Sequence, residues 1–206
     1  MSNKCYLDAQ ALLEDSWRLG AMMTSDGFVP DFIVAIWRGG VPVGIAVQEF
    51  LARFGVAADH IAIRTASYEG IDNQRSQVQV YGMNYLIKQV RAEHALLIVD
   101  DVFDTGRSIE AVIDQLSIAA RRNTPTDIRI AVPYFKPSRN QTARTPDYYV
   151  HETEAWLKFP HSLEGLTDAE IAVHRPSLAA ILATKRDDGS SGHGATVQGS
   201  SRSSKV

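Results

Sequence analysis

The sequence has little cysteine, no long apolar run and little net charge. Cys5 is the one cysteine in 206 residues, which excludes an internal disulfide framework and indicates a reducing compartment. No apolar run approaches the roughly 20 residues of a membrane-spanning helix, and the amino terminus has no apolar signal-peptide core. The formal net charge of −3 does not favour nucleic acid or an anionic membrane as a partner. We therefore expect a cytoplasmic protein that binds neither.

The composition predicts one domain followed by a tail. Hydrophobic residues make up 45% of the chain, which is enough for a well-packed core at this length. From Lys185 onward the sequence is rich in glycine and serine and has almost nothing to bury, a composition typical of disorder. We predict a domain over residues 1–184 and a disordered Gly/Ser-rich tail over residues 185–206.

Short apolar segments alternate with helical patterns along the chain. The patterns predict buried strands at residues 32–37, 60–64, 95–99 and 128–135, and shorter strands at 78–81, 147–150 and 155–159. They predict helices at residues 7–23, 40–54, 84–91 and 109–116, and one terminal helix at 166–184. This alternation favours an α/β fold with a doubly wound parallel sheet, which binds ligands at the carboxyl ends of its strands.

Residues 100–108 give the strongest functional signal. They follow the buried strand at 95–99, contain the acids Asp100, Asp101 and Asp104, and run into the helix that begins near Ser108. A helix amino terminus presents free backbone N–H groups and a positive dipole end, which favour phosphate. The Walker pattern of glycines followed by lysine is missing. Acids next to a phosphate cradle indicate a ligand with phosphate at one end and hydroxyls or a metal at the other, such as a sugar phosphate.

Residues 99–108 closely resemble the motif with which type I phosphoribosyltransferases bind phosphoribosyl pyrophosphate (PRPP). The resemblance implies that Asp100 and Asp101 meet the ribose hydroxyls, directly or through Mg²⁺, which suits a few carboxylates plus substrate oxygens. It implies that the 5′-phosphate is bound by the residues that follow, namely Asp104, Thr105, Gly106, Arg107 and Ser108. In purine members the acid matching Asp104 lies near N7 of the base, so Asp104 is the candidate general base. The alternative is an ordinary strand, turn and helix with solvated acids.

A second loop, at the end of the strand at 32–37, resembles the pyrophosphate loop of the same family. It consists of Trp37, Arg38, Gly39 and Gly40. Backbone N–H groups and a cation here would stabilise the charge of departing pyrophosphate. The resemblance implies a cis peptide bond between Trp37 and Arg38. A plain Gly-Gly turn is the alternative.

Residues 65–77 are polar and show neither helical nor strand periodicity, which is typical of a functional loop or a disordered one. With residues 78–81 they could also form a two-stranded flap. Ser67 and Tyr68 resemble the lid dipeptide of hypoxanthine–guanine enzymes. We therefore predict a flexible lid that excludes water from the reaction.

The last third of the chain carries the residues that would select the base. Lys136 resembles the lysine that contacts the exocyclic oxygen of a 6-oxopurine, and an ammonium group can only donate. Residues of about 134–165 resemble the small hood of xanthine, hypoxanthine and guanine enzymes, in which Trp156 would stack on the purine and Leu157 would reach its edge. Related hoods often have an aromatic residue after Phe-Pro, or an acid soon after, whereas residues 161–164 here read His-Ser-Leu-Glu. Glu164 is a candidate substitute metal ligand.

The resemblance implies a purine salvage phosphoribosyltransferase that joins PRPP to hypoxanthine, guanine or xanthine with Mg²⁺. It also implies a homodimer or homotetramer. Two alternatives stay open: a regulator that keeps the PRPP fold and binds nucleic acid, and a transferase for another base such as a pyrimidine. The net charge argues against the first. Lys136 and Trp156 argue mildly against the second.

Overall fold

The structure, a computed structural model, describes residues 4–68 and 77–190, without the side chains of residues 67, 68, 77 and 185–190. The chain divides into two compact units, residues 1–162 and 163–206. No helix in the described ranges is long and apolar enough to cross a membrane.

The first unit is built on a seven-stranded sheet. Its strands are β2 (Phe32–Trp37), β3 (Asp59–Tyr68), β4 (Gln77–Tyr81), β5 (Ala95–Val99), β6 (Val102–Phe103), β7 (Asp127–Phe135) and β8 (Tyr148–Glu152). Their order is β4-β3-β2-β5-β7-β6, and β8 also pairs with β7. The β3–β4 pair is antiparallel and the other pairs are parallel. The predicted α/β class with a parallel doubly wound sheet is confirmed.

Helices cover both faces of this sheet. They are α1 (Ala9–Asp26), α2 (Gly40–Arg53), α3 (Asn84–Gln89) and α4 (Arg107–Ala120). Alternate side chains of β5 enter different cores, since Leu96 and Ile98 pack with α4 whereas Leu97 and Val99 pack with α1 and α2. Strands buried on both faces read as continuous apolar runs, which is why the sequence predicted them well.

The first helix differs from its prediction. It begins after Asp8, whose carboxylate accepts hydrogen bonds from the N–H groups of Gln10 and Ala11, and it ends at Gly27 with φ +70°. On this helix Trp17 is exposed and Asp15 is buried. The burial of the Asp15 carboxylate is compensated by ion pairs with Arg18 at 2.8 Å and with His151 at 2.9 Å. An apolar pattern cannot reveal a buried carboxylate whose partner lies far along the chain.

A separate two-stranded sheet joins the amino terminus to the region predicted as the hood. Strand β1 (Lys4–Tyr6) pairs in parallel with β9 (Trp156–Lys158), with Cys5 opposite Leu157. The N–H of Leu7 donates to the carbonyl of Lys158 at 3.0 Å. The sequence did not predict β1, since three residues carry no readable period.

The segment predicted as a flexible loop is partly a flap. Residues 65–68 extend β3, and Gln77 begins β4, so the two-stranded alternative is confirmed where the chain is described. Residues 69–76 lie outside the described residues. The lid role of Ser67 and Tyr68 stays a prediction.

In the second unit, the single terminal helix predicted over residues 166–184 is two helices. These are α5 (Asp168–His174), capped by Thr167 and Glu170, and α6 (Pro176–Ser190). Arg175 separates them because a proline disfavours helical geometry in the residue before it. Helix α6 continues past Thr184 to Ser190, and the predicted tail over residues 185–206 stays a prediction. Residues 191–206 lie outside the description, and the predicted domain over residues 1–184 stays a prediction.

Candidate active site

Two loops meet at the carboxyl edge of the sheet because β2 and β5 are parallel neighbours. A Cβ on Gly39 would overlap the carboxylate of Asp101, and a Cβ on Gly40 would overlap the carbonyl of Val99. Both positions therefore require glycine. The Trp37–Arg38 peptide bond is cis, as the resemblance implied. The predicted pyrophosphate loop thus lies directly against the predicted ribose-binding acids.

The two adjacent acids differ in their surroundings. Asp100 is half-buried and accepts a hydrogen bond from the N–H of Asp101 at 2.9 Å. Burial, followed by the negative charge of Asp101, raises the pKa of Asp100 well above its ordinary value. The Asp101 side chain is 15% exposed and lies 3.0 Å from Nε2 of His161. A cation or hydroxyl donors at this pair would offset the unfavourable proximity of two carboxylates.

The predicted phosphate cradle lies between β6 and α4. Gly106 has φ +78°, and a Cβ there would meet the Phe103 ring at 2.7 Å and the Thr142 hydroxyl at 2.6 Å. Helix α4 begins at Arg107, and its first intrahelical bond runs from the N–H of Glu110 to the carbonyl of Gly106. The N–H groups of its first turn therefore face the loop and can serve an anion. Thr105 and Ser108 flank the turn.

The end of β7 places a buried lysine beside the third acid. Phe103 pairs with Phe135, and the N–H of Lys136 donates to the Phe103 carbonyl at 2.9 Å. Lys136 is 7% exposed, and its ammonium group lies 3.3 Å from Oδ2 of Asp104. A hydrogen-bond donor and an acceptor thus lie side by side at this edge of the sheet.

Arg139 is a second cation on Asp104, which the sequence reasoning missed. Its Nε forms an ion pair with Oδ1 of Asp104. That oxygen is shielded from solvent, and among the described residues no donor is aligned to hydrogen-bond to it. The carboxylate is therefore held in place by charge and retains capacity to accept a proton or a hydrogen bond. The sequence offered one indication of this contact, namely that Arg139 is a basic residue three positions after Lys136.

The hood strand β9 presents a large aromatic surface. Trp156 is 56% exposed, and the Lys158 ammonium lies 5.5 Å from the centre of the indole ring. Leu157 is half-buried. Trp156 is therefore not a core residue, and its indole face is available for stacking.

The remaining predicted metal ligand, Glu164, belongs to the second unit, and its role stays a prediction. Within residues 4–68 and 77–190, no three histidine, cysteine or carboxylate side chains converge to hold a metal ion. The acids Asp100 and Asp101 nevertheless fit Mg²⁺, because this ion takes one or two protein carboxylates and completes its shell with substrate oxygens and water. The pKa of Asp100 is raised because burial and the charge of Asp101 disfavour its ionised form, and a cation bound at this position would stabilise that form.

Comparisons with solved structures give the same architecture. The chain is similar to the purine phosphoribosyltransferase of Pyrococcus horikoshii Ot3, at 25% identity and a TM-score of 0.60 over 80% of this chain and 97% of that one. It is similar to a hypothetical protein of Neisseria gonorrhoeae with bound ppGpp, at 19% identity and a TM-score of 0.67 over 88% and 98%. It is also similar to the xanthine-guanine-hypoxanthine phosphoribosyltransferase of Helicobacter pylori, at 18% identity and a TM-score of 0.56 over 77% and 92%.

In sequence, no curated protein matches the chain. The model of the phosphoribosyl transferase domain matches residues 2–168, which include both loops, the cradle, Lys136 and the hood strand. The chain therefore belongs to the phosphoribosyl transferase domain family.

Proposed function

We propose that this protein transfers the phosphoribosyl group of PRPP to a 6-oxopurine, namely hypoxanthine, guanine or xanthine, and releases pyrophosphate. The observation that carries the proposal is the pair formed by Lys136 and Asp104. Its donor and acceptor are 3.3 Å apart and match the edge on which a 6-oxopurine presents O6 as an acceptor beside N7. When N7 carries a proton, that edge offers an acceptor next to a donor. Adenine has an amino group in place of O6, and an ammonium group cannot accept a hydrogen bond from that amino group.

Asp104 is the proposed general base. In the reaction the bond from C1 of the ribose to pyrophosphate breaks, the bond from C1 to N9 forms, and the proton on N7 passes to the Asp104 carboxylate. The Lys136 ammonium has three donors, so it can contact O6 while it stays paired with Asp104. Arg139 holds the other side of the carboxylate. Trp156 would stack on the purine face, with Leu157 at the base edge.

The PRPP half of the site separates into two binding functions. The first turn of α4, with Thr105, Gly106, Arg107 and Ser108, would bind the 5′-phosphate. Trp37, Arg38, Gly39 and Gly40 would stabilise the negative charge that accumulates on departing pyrophosphate.

Asp100 and Asp101 would hold the ribose hydroxyls and, with them, Mg²⁺. When bound, Mg²⁺ offsets charge on the pyrophosphate oxygens. The lid role of Ser67 and Tyr68, the metal role of Glu164, a dimeric or tetrameric state and a cytoplasmic location belong to the same proposal. They rest on the resemblance and, for location, on the single cysteine.

The Neisseria gonorrhoeae protein was solved with ppGpp, which joins guanine to two diphosphate groups. We extend the proposal to this nucleotide as a competitor of PRPP, because it combines the chemistry of both halves of the site. Competition is measured as the change in apparent KM for PRPP when ppGpp is added.

The test is a panel of bases incubated with PRPP and Mg²⁺, followed by pyrophosphate release and by identification of the nucleotide product. Hypoxanthine, guanine and xanthine are compared with adenine, uracil and orotate. We expect release with at least one 6-oxopurine. Release with a pyrimidine alone would establish the rival transferase, and no release with any purine would refute the proposal. Binding of nucleic acid in place of turnover would favour the regulator.

A further inference from the structure

A contact that the proposed function does not use joins the hood to the acidic pair. The Nε2 atom of His161 lies 3.0 Å from Oδ2 of Asp101. His161 lies in the turn after β9, where the N–H of Ser162 donates to the Phe159 carbonyl at 3.1 Å. The hood strand that carries Trp156 is thereby connected, within six residues, to an acid of the opposite half of the site.

The imidazole is held rigidly in this position. Its ring stacks on Phe159 with centroids 5.3 Å apart and planes 20° apart. Phe159 is buried and packs edge-on against Tyr134 of β7, with centroids 5.8 Å apart. The His161 side chain is 21% exposed although its backbone is open to solvent. The stacking on Phe159 therefore orients the ring and directs Nε2 toward Asp101.

The carboxylate of Asp101 is confined from the other side. Gly39 lies so close that a Cβ at that position would overlap the carboxylate. The Asp101 side chain is 15% exposed. Asp101 is thus clamped between the pyrophosphate loop and His161, and the imidazole is the member of the clamp that supplies a hydrogen-bond donor. An ionised carboxylate oxygen only accepts, so the imidazole can serve it as a hydrogen-bond donor through Nε2.

We propose that His161 is a positioning residue that orients Asp101 for PRPP and couples the hood to the PRPP half of the site. The inference rests on the proposed function, which assigns Asp101 to PRPP and the hood to the base. Because His161 holds one oxygen of Asp101, the side chain is already ordered and its other oxygen can bind the ribose hydroxyls or the metal. Binding of PRPP therefore costs less side-chain entropy. Because coupling between sites is reciprocal, a base bound at the hood and PRPP bound at the acids raise each other's affinity through this contact.

The experiment compares three substitutions by calorimetric titration with PRPP and Mg²⁺ in the absence of base. His161→Phe keeps the stacked ring and removes the donor, whereas His161→Gln restores a donor without the ring. His60→Phe is the matched control, since His60 is exposed at the amino end of β3. A hydrogen bond to a charged group corresponds to roughly tenfold to hundredfold in affinity. We expect His161→Phe to weaken PRPP by about that factor and His161→Gln to recover most of it.

A second readout separates positioning from a general structural role. For His161→Phe we expect KM for PRPP to rise with kcat changed much less, and the increase in base affinity caused by saturating PRPP to shrink. PRPP binding by His161→Phe equal to that of the wild type would overturn the inference and leave the proposed function intact. Failure of the wild type to bind PRPP would overturn both. Binding of PRPP without transfer to any purine would overturn the proposed base alone.

Discussion

Charged groups are arranged differently at the two edges of the sheet, at the amino end of β7 and at the carboxyl end of β5. At the amino end of β7, Arg129 forms ion pairs with Asp26 and Asp127 and donates a hydrogen bond to the Tyr148 hydroxyl at 2.6 Å. Its guanidinium lies 4.4 Å from the centre of the Phe28 ring. Both carboxylates of this cluster are thus paired with the same cation. At the carboxyl end of β5, the adjacent carboxylates of Asp100 and Asp101 lie together, and burial, followed by the charge of Asp101, raises the pKa of Asp100.

The difference separates a structural cluster from a binding site. The amino-end cluster ties α1 to β7 and β8, and the Tyr148 hydroxyl donates to Asp26 at 2.7 Å. It needs no ligand to balance its charges. The Asp100–Asp101 pair at the carboxyl edge holds adjacent negative charges that a cation and hydroxyl donors would offset, so this pair costs stability in the protein alone. Strain of this kind is typical of functional sites. Substitutions at the two ends should therefore have opposite effects on turnover and on stability.

The largest effect is expected from Asp104→Asn. The amide cannot take the proton from N7, so turnover should fall about 10²- to 10⁴-fold, while PRPP binding and the melting temperature change little. Steady-state rates of pyrophosphate release and calorimetric titration with PRPP measure the two properties. Asp114→Asn, at an exposed position of α4, is the control. Near-normal turnover in Asp104→Asn would remove this residue from catalysis.

Arg129→Ala should show the opposite behaviour. It removes two ion pairs and a hydrogen bond from a partly exposed cluster, and we expect the free energy of unfolding to fall by about 1–2 kcal/mol. The value of kcat should stay within about twofold, because the cluster lies at the amino end of β7. Chemical denaturation measures the free energy of unfolding. The control is Arg53→Ala, at an exposed position at the end of α2. A large loss of kcat without loss of stability would contradict a purely structural role for the Arg129 cluster.

Asp100→Asn should raise the melting temperature of the ligand-free protein at neutral pH, in buffer containing a chelator. Burial, followed by the negative charge of Asp101, raises the pKa of Asp100, so removing this carboxylate removes a charge that is unfavourable in the ligand-free protein. The same substitution should weaken binding of PRPP with Mg²⁺. Thermal melts with and without PRPP and Mg²⁺ measure both effects. A lower melting temperature in the ligand-free variant would show that Asp100 stabilises the fold.

The smallest effect concerns Tyr148 at high pH. Burial, and then the hydrogen bond to Asp26, raise its pKa to about 12, whereas an unfolded tyrosine titrates near about 10. The unfolded chain therefore releases this proton first, and the stability that Tyr148 contributes, present below about pH 10, is lost as the pH rises toward about 12. Urea denaturation across this range should show a steeper loss in the wild type than in Tyr148→Phe. Parallel profiles would contradict the shift.

The sequence predicted those parts of the site that are contiguous in the chain. Residues 95–108 combine an apolar strand, acids and a helix start within one short stretch, so local patterns sufficed to predict these elements, while the binding roles stay predictions. The same holds for Gly39 and Gly40, whose need for glycine the structure explains.

The missed contacts join residues that are distant in sequence. His161 meets Asp101, Arg139 meets Asp104 across a strand, β1 pairs with β9, and the buried Asp15 meets His151. Periodicity shows which face of an element is buried, but not which distant side chain will lie against it. The departure from the resembling hoods at residue 161 signalled an unusual residue without indicating its partner.

We propose that Lys136 and Asp104 together recognise the edge formed by O6 and N7. The most direct test is the ratio of kcat/KM for hypoxanthine to that for adenine, measured in the wild type and in Lys136→Met, which keeps an unbranched side chain one atom shorter and removes the donor. We predict a ratio of at least about a hundred in the wild type, since an unmatched polar group is rejected strongly, and a collapse of that ratio in Lys136→Met. Equal use of both bases by the wild type, or an unchanged ratio in the variant, would contradict the account.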